Sequence, residues 1–191
     1  MNKDKGLLVV LSSPSGGGKT TVINKLKSEE CDFQYSISMT TRPPRNGEQN
    51  GRDYWFVNEK EFQRKIKNDA LIEFEKVHDW YYGTPRQPII EWLEQGQVVL
   101  LDLDVFGALQ LKNQFDSETL LIFIKPPNEQ VLLKRLKNRS TESSAQISKR
   151  LERVPKEMDK AEEFDEIVIN DDLNKTINKV KQLIKEKQTM L

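Results

Sequence analysis

The clearest chemical pattern in the sequence is a glycine-rich segment at residues 13–20. It reads Ser-Pro-Ser-Gly-Gly-Gly-Lys-Thr and follows an apolar run at residues 7–11. Apart from its opening serine, the segment fits the phosphate-loop pattern Gly-x-x-x-x-Gly-Lys-Ser/Thr, which lies between a strand and a helix. Glycines let backbone N–H groups approach phosphate oxygens, and the helix that follows adds free N–H groups and a positive dipole end. The segment therefore predicts a binding site for a nucleotide phosphate chain.

Two side chains of this segment suit a triphosphate with a metal ion. Lys19 can reach the β- and γ-phosphates, and the hydroxyl of Thr20 can ligate Mg²⁺. A flexible glycine turn is the alternative, which the Lys-Thr pair disfavours. A positive φ at Ser13 would add about 1 kcal/mol of backbone strain. The predicted triphosphate site consists of Ser13, Pro14, Ser15, Gly16, Gly17, Gly18, Lys19, Thr20 and Thr21.

A second candidate anion site is the segment Arg42-Pro43-Pro44-Arg45. Prolines favour the polyproline II conformation, which has three residues per turn, so Arg42 and Arg45 would face the same side. A guanidinium fork suits a phosphate group, and two of them could converge on one dianion. An exposed Pro-Arg loop is the alternative that the pattern leaves open.

Two acids lie where the apolar run at residues 98–102 ends: Asp102 is its last residue, and Asp104 follows two residues later. On a continuous strand, residues two apart lie on one face. A strand that ends or bends between them would instead direct them to different ligands, and a solvated pair of acids at a strand end remains an alternative.

The elements that must position these residues alternate between strand and helix patterns. Three of the strand-like runs are almost continuously apolar, as is typical of parallel strands buried on both faces, and the alternation predicts an α/β fold of three layers. The predicted strands are residues 7–11, 35–38, 98–102, 120–124 and 166–170, and the predicted helices include residues 20–28, 88–95, 129–136, 147–158 and 173–184.

Two stretches do not fit this core. Residues 39–87 are rich in Arg, Pro, Tyr, Trp and Gly and contain short strand-like pieces around a helical pattern, and residues 137–146 are polar and lack apolar anchors. We interpret the first as an inserted α+β subdomain for the substrate and the second as the start of a lid. The whole chain is then one domain, with a core of about 1–38, 88–136 and 159–191, a subdomain of about 39–87 and a lid of about 137–158.

The composition limits the classes of partner. Thirty basic and thirty acidic residues cancel, so the chain has no overall attraction to nucleic acid or acidic membranes. The single cysteine excludes an internal disulfide, and the first apolar run is too short for a signal or a membrane span. We therefore expect a cytoplasmic protein that binds neither nucleic acid nor a membrane, and monomer and homodimer both stay open.

A phosphate loop alone does not distinguish a GTPase from an ATPase or a kinase. The Asn-Lys-x-Asp guanine box of Ras-like GTPases is missing from the sequence. Together, however, the motifs resemble the guanylate kinase family over nearly the whole chain, and their order and spacing are specific. The matching pieces are residues 14–18, 38–48, 51–57, 71–74, 81–84, 101–104 with Gly107, 135–136 with Arg139 and Thr141, 149–151 and 168–172.

The resemblance implies that the enzyme transfers the γ-phosphoryl group of ATP to GMP, and dGMP is expected as a further acceptor. It implies that the triphosphate site holds ATP with Mg²⁺, and that Lys19, Arg42, Arg135, Arg139 and Arg150 are catalytic. It further implies metal contacts from Thr20 and Asp102. The implied GMP site consists of Ser38, Arg42, Arg45, Tyr54, Glu73, Tyr82, Thr84 and Asp104.

The chemistry of guanine agrees with these roles. Guanine presents N1–H and N2–H₂ as donors, which the carboxylates of Glu73 and Asp104 would accept. Adenine presents an acceptor at N1, so the same carboxylates would repel it. The hydroxyls of Ser38 and Thr84 can donate to O6 of guanine.

Three positions depart from the common family pattern, namely Ser13, Phe106 and Ser140. We expect these departures to affect the conformation of the phosphate loop and the motion of the lid more than the phosphoryl transfer itself. A non-catalytic guanylate-kinase-like module that binds peptides is one rival interpretation, although such modules typically lose the phosphate-binding residues. A kinase for another nucleoside monophosphate is the second rival.

Overall fold

The structure, a computed structural model, describes residues 5–29, 32–77, 79–137 and 144–191, and the side chains of residues 137 and 144–150 also lie outside the description. Within these ranges the chain alternates strands and helices. The strands are β1 (Leu7–Ser12), β2 (Gln34–Tyr35), β3 (Met39–Thr40), β4 (Trp55–Phe56), β5 (Leu71–Val77), β6 (Trp80–Pro85), β7 (Val98–Asp102), β8 (Thr119–Lys125) and β9 (Glu166–Ile169). The helices are α1 (Lys19–Ser28), α2 (Glu59–Lys67), α3 (Arg86–Glu94), α4 (Val105–Gln114), α5 (Glu129–Lys137), α6 (Ser144–Asp159) and α7 (Leu173–Gln188), with a 3₁₀ turn at Lys160–Glu163.

The central sheet has five strands in the order β2-β7-β1-β8-β9, and every neighbouring pair is parallel. Alternate residues of β1 enter two separate apolar clusters, one on each face of the sheet. Helices α1 and α7 cover one face, and α3 and α4 cover the other. The predicted three-layer α/β fold with a five-stranded parallel sheet is therefore confirmed.

A second sheet forms between residues 39 and 85, with the order β4-β3-β6-β5 and both parallel and antiparallel pairs. Its small apolar cluster contains Met39 and Leu71 from the sheet and Phe62 from α2. Residues 39–87, which we expected to form an α+β subdomain, thus contain both strands and a helix. The boundaries of core, subdomain and lid stay predictions.

The structure differs from the sequence analysis in two elements. Helix α4 was not predicted, although Asp104 caps its N-terminus and Val105, Ala108 and Leu111 form a buried stripe at helical spacing. The strand predicted at residues 35–38 is instead Gln34–Tyr35. After β2 the chain leaves the central sheet, and the Ser38 carbonyl accepts a hydrogen bond from the backbone N–H of Trp55 at 2.9 Å in the second sheet.

Candidate active site

One cavity of about 640 Å³ contains both predicted anion sites. The phosphate loop and the start of α1 line one side, and residues of the second sheet and of the Arg42–Arg45 segment line the other. The predicted residues at its wall are Ser13, Pro14, Ser15, Gly16, Gly18, Lys19, Thr20, Ser38, Arg42, Arg45, Tyr54, Glu73, Tyr82, Asp102 and Asp104. Gly17, Thr21, Thr84 and Arg135 do not line it.

The phosphate loop has the backbone conformation that its glycines permit. Gly16 has φ +86° and Gly18 has φ +97°, values that a residue with a Cβ rarely adopts, and α1 begins directly after Gly18. In the described residues Asp69 is the only non-glycine with positive φ, so Ser13 carries no such strain. The N–H groups at the start of α1 are thereby directed at the cavity.

Two side chains hold the back of this loop. The carbonyl oxygen of Gly17 accepts hydrogen bonds from Nη1 of Arg135 and from Nδ2 of Asn170, both at 3.0 Å. Nη2 of Arg135 also donates to the carbonyl oxygen of Asn170 at 3.1 Å. Arg135, which the resemblance implies is catalytic, thus contacts the loop backbone in this structure. Asn170 was not predicted as a site residue, although it lies in the matching piece at residues 168–172.

Lys19 lies at the carboxyl end of the central sheet. Its Nζ forms an ion pair of 2.6 Å with Oδ1 of Asp102 and also donates to the carbonyl oxygen of Leu103. The strand β7 ends at Asp102, and Asp104 lies beyond it as the N-cap of α4. The two acids therefore belong to different elements, because the strand ends between them.

Glu73 is a buried acid at the second-sheet end of the cavity, and its Oε1 accepts a hydrogen bond of 2.5 Å from the hydroxyl of Thr84. Burial, together with a smaller contribution from the charge of Asp104, raises the pKa of Glu73 to about 7, although the hydrogen bond from Thr84 lowers it in part. Thr84 gives its single hydroxyl hydrogen to Glu73, whereas the sequence analysis assigned that hydrogen to a base. A Cβ at Gly107 would lie 2.7 Å from Oε2 of Glu73, so α4 approaches the acid closely because this residue is glycine.

Arg42 and Arg45 meet at Glu48, a residue that the sequence analysis did not single out. Both terminal nitrogens of Arg42 contact the Glu48 carboxylate at 2.9 and 3.0 Å, and the backbone N–H of Arg45 donates to it at 2.6 Å. Burial raises the pKa of Glu48, but these hydrogen bonds outweigh it and hold the pKa below its usual value. Nε of Arg42 donates to the hydroxyl of Tyr82 at 3.2 Å, and its guanidinium lies 5.4 Å from the ring centre of Tyr54.

Helix α6 contributes two charged residues that sequence reasoning missed. Nη2 of Arg153 donates to Oδ2 of Asp104 at 3.2 Å and to Oε1 of Glu75 at 3.3 Å. Its Nε lies 3.5 Å from Oε1 of Glu157, and Oε2 of Glu157 accepts the backbone N–H of Ser15 at 3.0 Å. The spacing of four residues on a helix was a signal for the Arg153–Glu157 pair.

Two implied catalytic residues fall outside what the structure describes, namely Arg139 and the side chain of Arg150. In the described part of the chain no three His, Cys, Asp or Glu residues are grouped as a metal site. No helix in the same ranges has the length and apolar content to cross a bilayer.

The chain is similar to known proteins over nearly its whole length. Residues 5–187 match the model of the family described as guanylate kinase. A guanylate kinase of Caldanaerobacter subterraneus subsp. tengcongensis is 43% identical over 95% of this chain and 88% of its own length, and one of Oceanobacillus iheyensis is 45% identical over 97% and 89%. The crystal structure of guanylate kinase from Anaplasma phagocytophilum superimposes with a TM-score of 0.81 at 31% identity and covers 97% of this chain and 88% of the other.

Proposed function

Because this chain belongs to the guanylate kinase family, we infer that it transfers the γ-phosphoryl group of ATP to GMP and so forms ADP and GDP. The observation that carries this inference is the shared cavity, which has the phosphate loop on one side and Arg42, Arg45, Tyr54 and Tyr82 on the other. Two nucleotides with facing phosphates can react only if one cleft receives both. GDP formed in this way supplies GTP synthesis and recycles guanine nucleotides.

The two rival functions lack support. The relatives reported above are all named guanylate kinases, and the loop residues Gly16, Gly18, Lys19 and Thr20, which a non-catalytic module would typically have lost, are present. Glu73 and Asp104 are acceptors, so they favour guanine over adenine as the acceptor base.

At the acceptor end, Glu73 and Asp104 read N1–H and N2–H₂ of guanine. Thr84 holds Glu73 in place through the hydrogen bond described above, and Ser38 lies at the cavity wall where it can contact O6. The GMP phosphate is held by Arg42 and Arg45 with the hydroxyls of Tyr54 and Tyr82. Because Glu48 already contacts both arginine residues, a bound phosphate would share Arg42 with it or replace it.

At the donor end, the amides of the phosphate loop and Lys19 hold the triphosphate. Arg135 keeps the loop in shape through the Gly17 carbonyl, and Arg139 and Arg150 are retained as proposed contacts of the transferred group. These cations neutralise charge on the phosphoryl group as it passes between nucleotides.

The site suits Mg²⁺ because it offers hard oxygen ligands at the right place. The hydroxyl of Thr20 and the carboxylate of Asp102 both line the cavity beside Lys19. Mg²⁺ that accompanies nucleotide phosphates needs only one or two such protein ligands. When bound, the ion supplies positive charge that neutralises the phosphate oxygens.

The transfer itself requires no general base. A phosphate oxygen of GMP is already anionic, so it can form the new bond to the γ-phosphorus while the bond to the β,γ-bridging oxygen breaks and its electrons leave with ADP. The residues of the cavity orient the two anions in line and exclude water. We retain the cytoplasm as the proposed location.

A coupled assay for ADP release tests the function directly. The purified chain is given ATP with GMP, dGMP, AMP or UMP, each with and without Mg²⁺. We expect turnover with GMP and dGMP only, and only with Mg²⁺. Faster turnover with AMP or UMP, or no turnover with any acceptor, would reject the proposed function.

A further inference from the structure

Arg153 of α6 contacts three acids that come from three different parts of the fold. Glu75 belongs to β5 of the second sheet, Asp104 caps α4 of the core, and Glu157 lies one turn further along α6. The distances are 3.3, 3.2 and 3.5 Å, and all four side chains line the cavity. One guanidinium therefore joins the second sheet, the core and α6 at the active site.

The contact chain continues from Glu157 to the phosphate loop. One carboxylate oxygen of Glu157 contacts Arg153, and the other accepts the backbone N–H of Ser15 at 3.0 Å. Glu157 is 7% exposed, so water competes little for either contact. The chain of contacts thus begins at the acids of the acceptor pocket and ends on an amide of the donor loop.

At the acceptor end, Arg153 fixes an oxygen that is proposed to bind guanine. Oδ1 of Asp104 accepts the N–H of Gly107 at 2.9 Å, and Oδ2 accepts Nη2 of Arg153. Each carboxylate oxygen can accept a second hydrogen bond, so both contacts orient the group and leave lone pairs for a base. Arg153 is the cation that Asp104 and Glu75 share, and without it burial and the neighbouring Asp104 would act unopposed on Glu75, whose pKa they already raise well above its usual value.

From this arrangement, we propose that Arg153 is a positioning residue that couples GMP binding to ATP binding, by holding Asp104 for the base and, through Glu157, the Ser15 amide of the phosphate loop. The inference rests on the proposed function. GMP would stabilise the contacts at Asp104, and ATP would stabilise those at the phosphate loop, so each nucleotide would favour the arrangement that binds the other. When two sites are coupled in this way, one ligand typically changes the affinity for the other by about 5- to 150-fold.

Calorimetric titration tests the coupling in the full chain. The Kd of GMP is measured with and without a non-hydrolysable ATP analogue and Mg²⁺. The proteins compared are the wild type, Arg153→Ala and Arg153→Lys. The matched control is Lys156→Ala, because Lys156 is an exposed cation of the same helix. We expect the analogue to tighten GMP binding by about fivefold or more in the wild type and Lys156→Ala. Arg153→Ala should bring that ratio close to one, and Arg153→Lys should recover only part of it because an ammonium lacks the fork.

A second variant separates this role from simple folding support. Glu157→Gln keeps the shape of the side chain and the contact to Ser15 but removes the ion pair with Arg153, so it should also lower the ratio of the two Kd values. Combining it with Arg153→Ala should lower this ratio no further than the more severe single variant does. A ratio near one in the wild type, or a wild-type ratio in Arg153→Ala, would overturn the proposal. Phosphotransfer to GMP by the wild type is scored separately, so loss of the coupling alone leaves the proposed function standing.

Discussion

The hydroxyl of Thr84 donates a 2.5 Å hydrogen bond to Oε1 of Glu73, and both side chains are buried. The contact joins β6 to β5, which are paired antiparallel with these two residues opposite each other. It fixes the carboxylate from one side while α4 approaches Oε2 at Gly107 from the other. The acid proposed to read guanine is therefore oriented before any ligand arrives.

The first prediction concerns this acid. Glu73→Gln keeps the shape but replaces a charged acceptor with a neutral group that carries its own donor, so KM for GMP should rise about 10- to 100-fold. KM for ATP should stay within about twofold, because Glu73 contacts nothing in the phosphate loop. Steady-state kinetics with each nucleotide varied in turn measures both values, and an equal rise for the two would remove Glu73 from the base site.

The second prediction concerns pH. Burial raises the pKa of Glu73 to about 7, and only the ionised form accepts the guanine donors. The ionised carboxylate of Glu73 is therefore present above pH 7 and is lost as the pH falls. Well below pH 7, kcat/KM for GMP should fall by about a factor of ten for each pH unit.

The GMP phosphate contributes a decline of its own near its second pKa of about 6. The control for the pH prediction is therefore Glu73→Gln, in which only the decline due to the phosphate should remain. An identical acid limb in the two proteins would show that Glu73 does not titrate in the free enzyme.

The third prediction concerns Gly107, which lies in the first turn of α4. A Cβ there would meet Oε2 of Glu73 at 2.7 Å and must displace it, so Gly107→Ala should raise KM for GMP several-fold and leave KM for ATP unchanged. The fold should survive, because alanine favours a helix over glycine by about 1 kcal/mol. Kinetics and thermal unfolding are compared with Gln110→Ala, an exposed site of the same helix; unchanged GMP kinetics would mean that Glu73 can shift without loss.

The fourth prediction concerns Lys19. Lys19→Ala removes the ammonium that contacts Asp102 and the Leu103 carbonyl at the cavity. Turnover should fall about 100-fold or more, because the proposed role of this charge is to stabilise the transferred phosphoryl group. The melting temperature should change little. Lys25→Ala, on the same helix but away from the cavity, should keep normal turnover. Near-normal activity of Lys19→Ala would reject its role.

The sequence by itself determined the local structure that depends only on residues close together along the chain. The strand, loop and helix around Lys19 follow from an apolar run and three glycines, and the strands β1, β7 and β8 of the central sheet follow from short buried runs. The start of α4 also depends on neighbouring residues, because an aspartate before apolar residues at helical spacing, here Val105, Ala108 and Leu111, is a typical N-cap. The family could be named from motifs because their order along the chain is itself sequence information.

Only the tertiary structure decided which distant side chains meet. Asn170 reaches Gly17 across 153 positions, and Arg153 reaches Glu75 across 78 and Asp104 across 49. Such contacts depend on the order of strands in the sheet and on the packing of α6 against the cleft, which no local spacing encodes. The raised pKa of Glu73 has the same origin, because burial is a property of the assembled cavity and not of the residue.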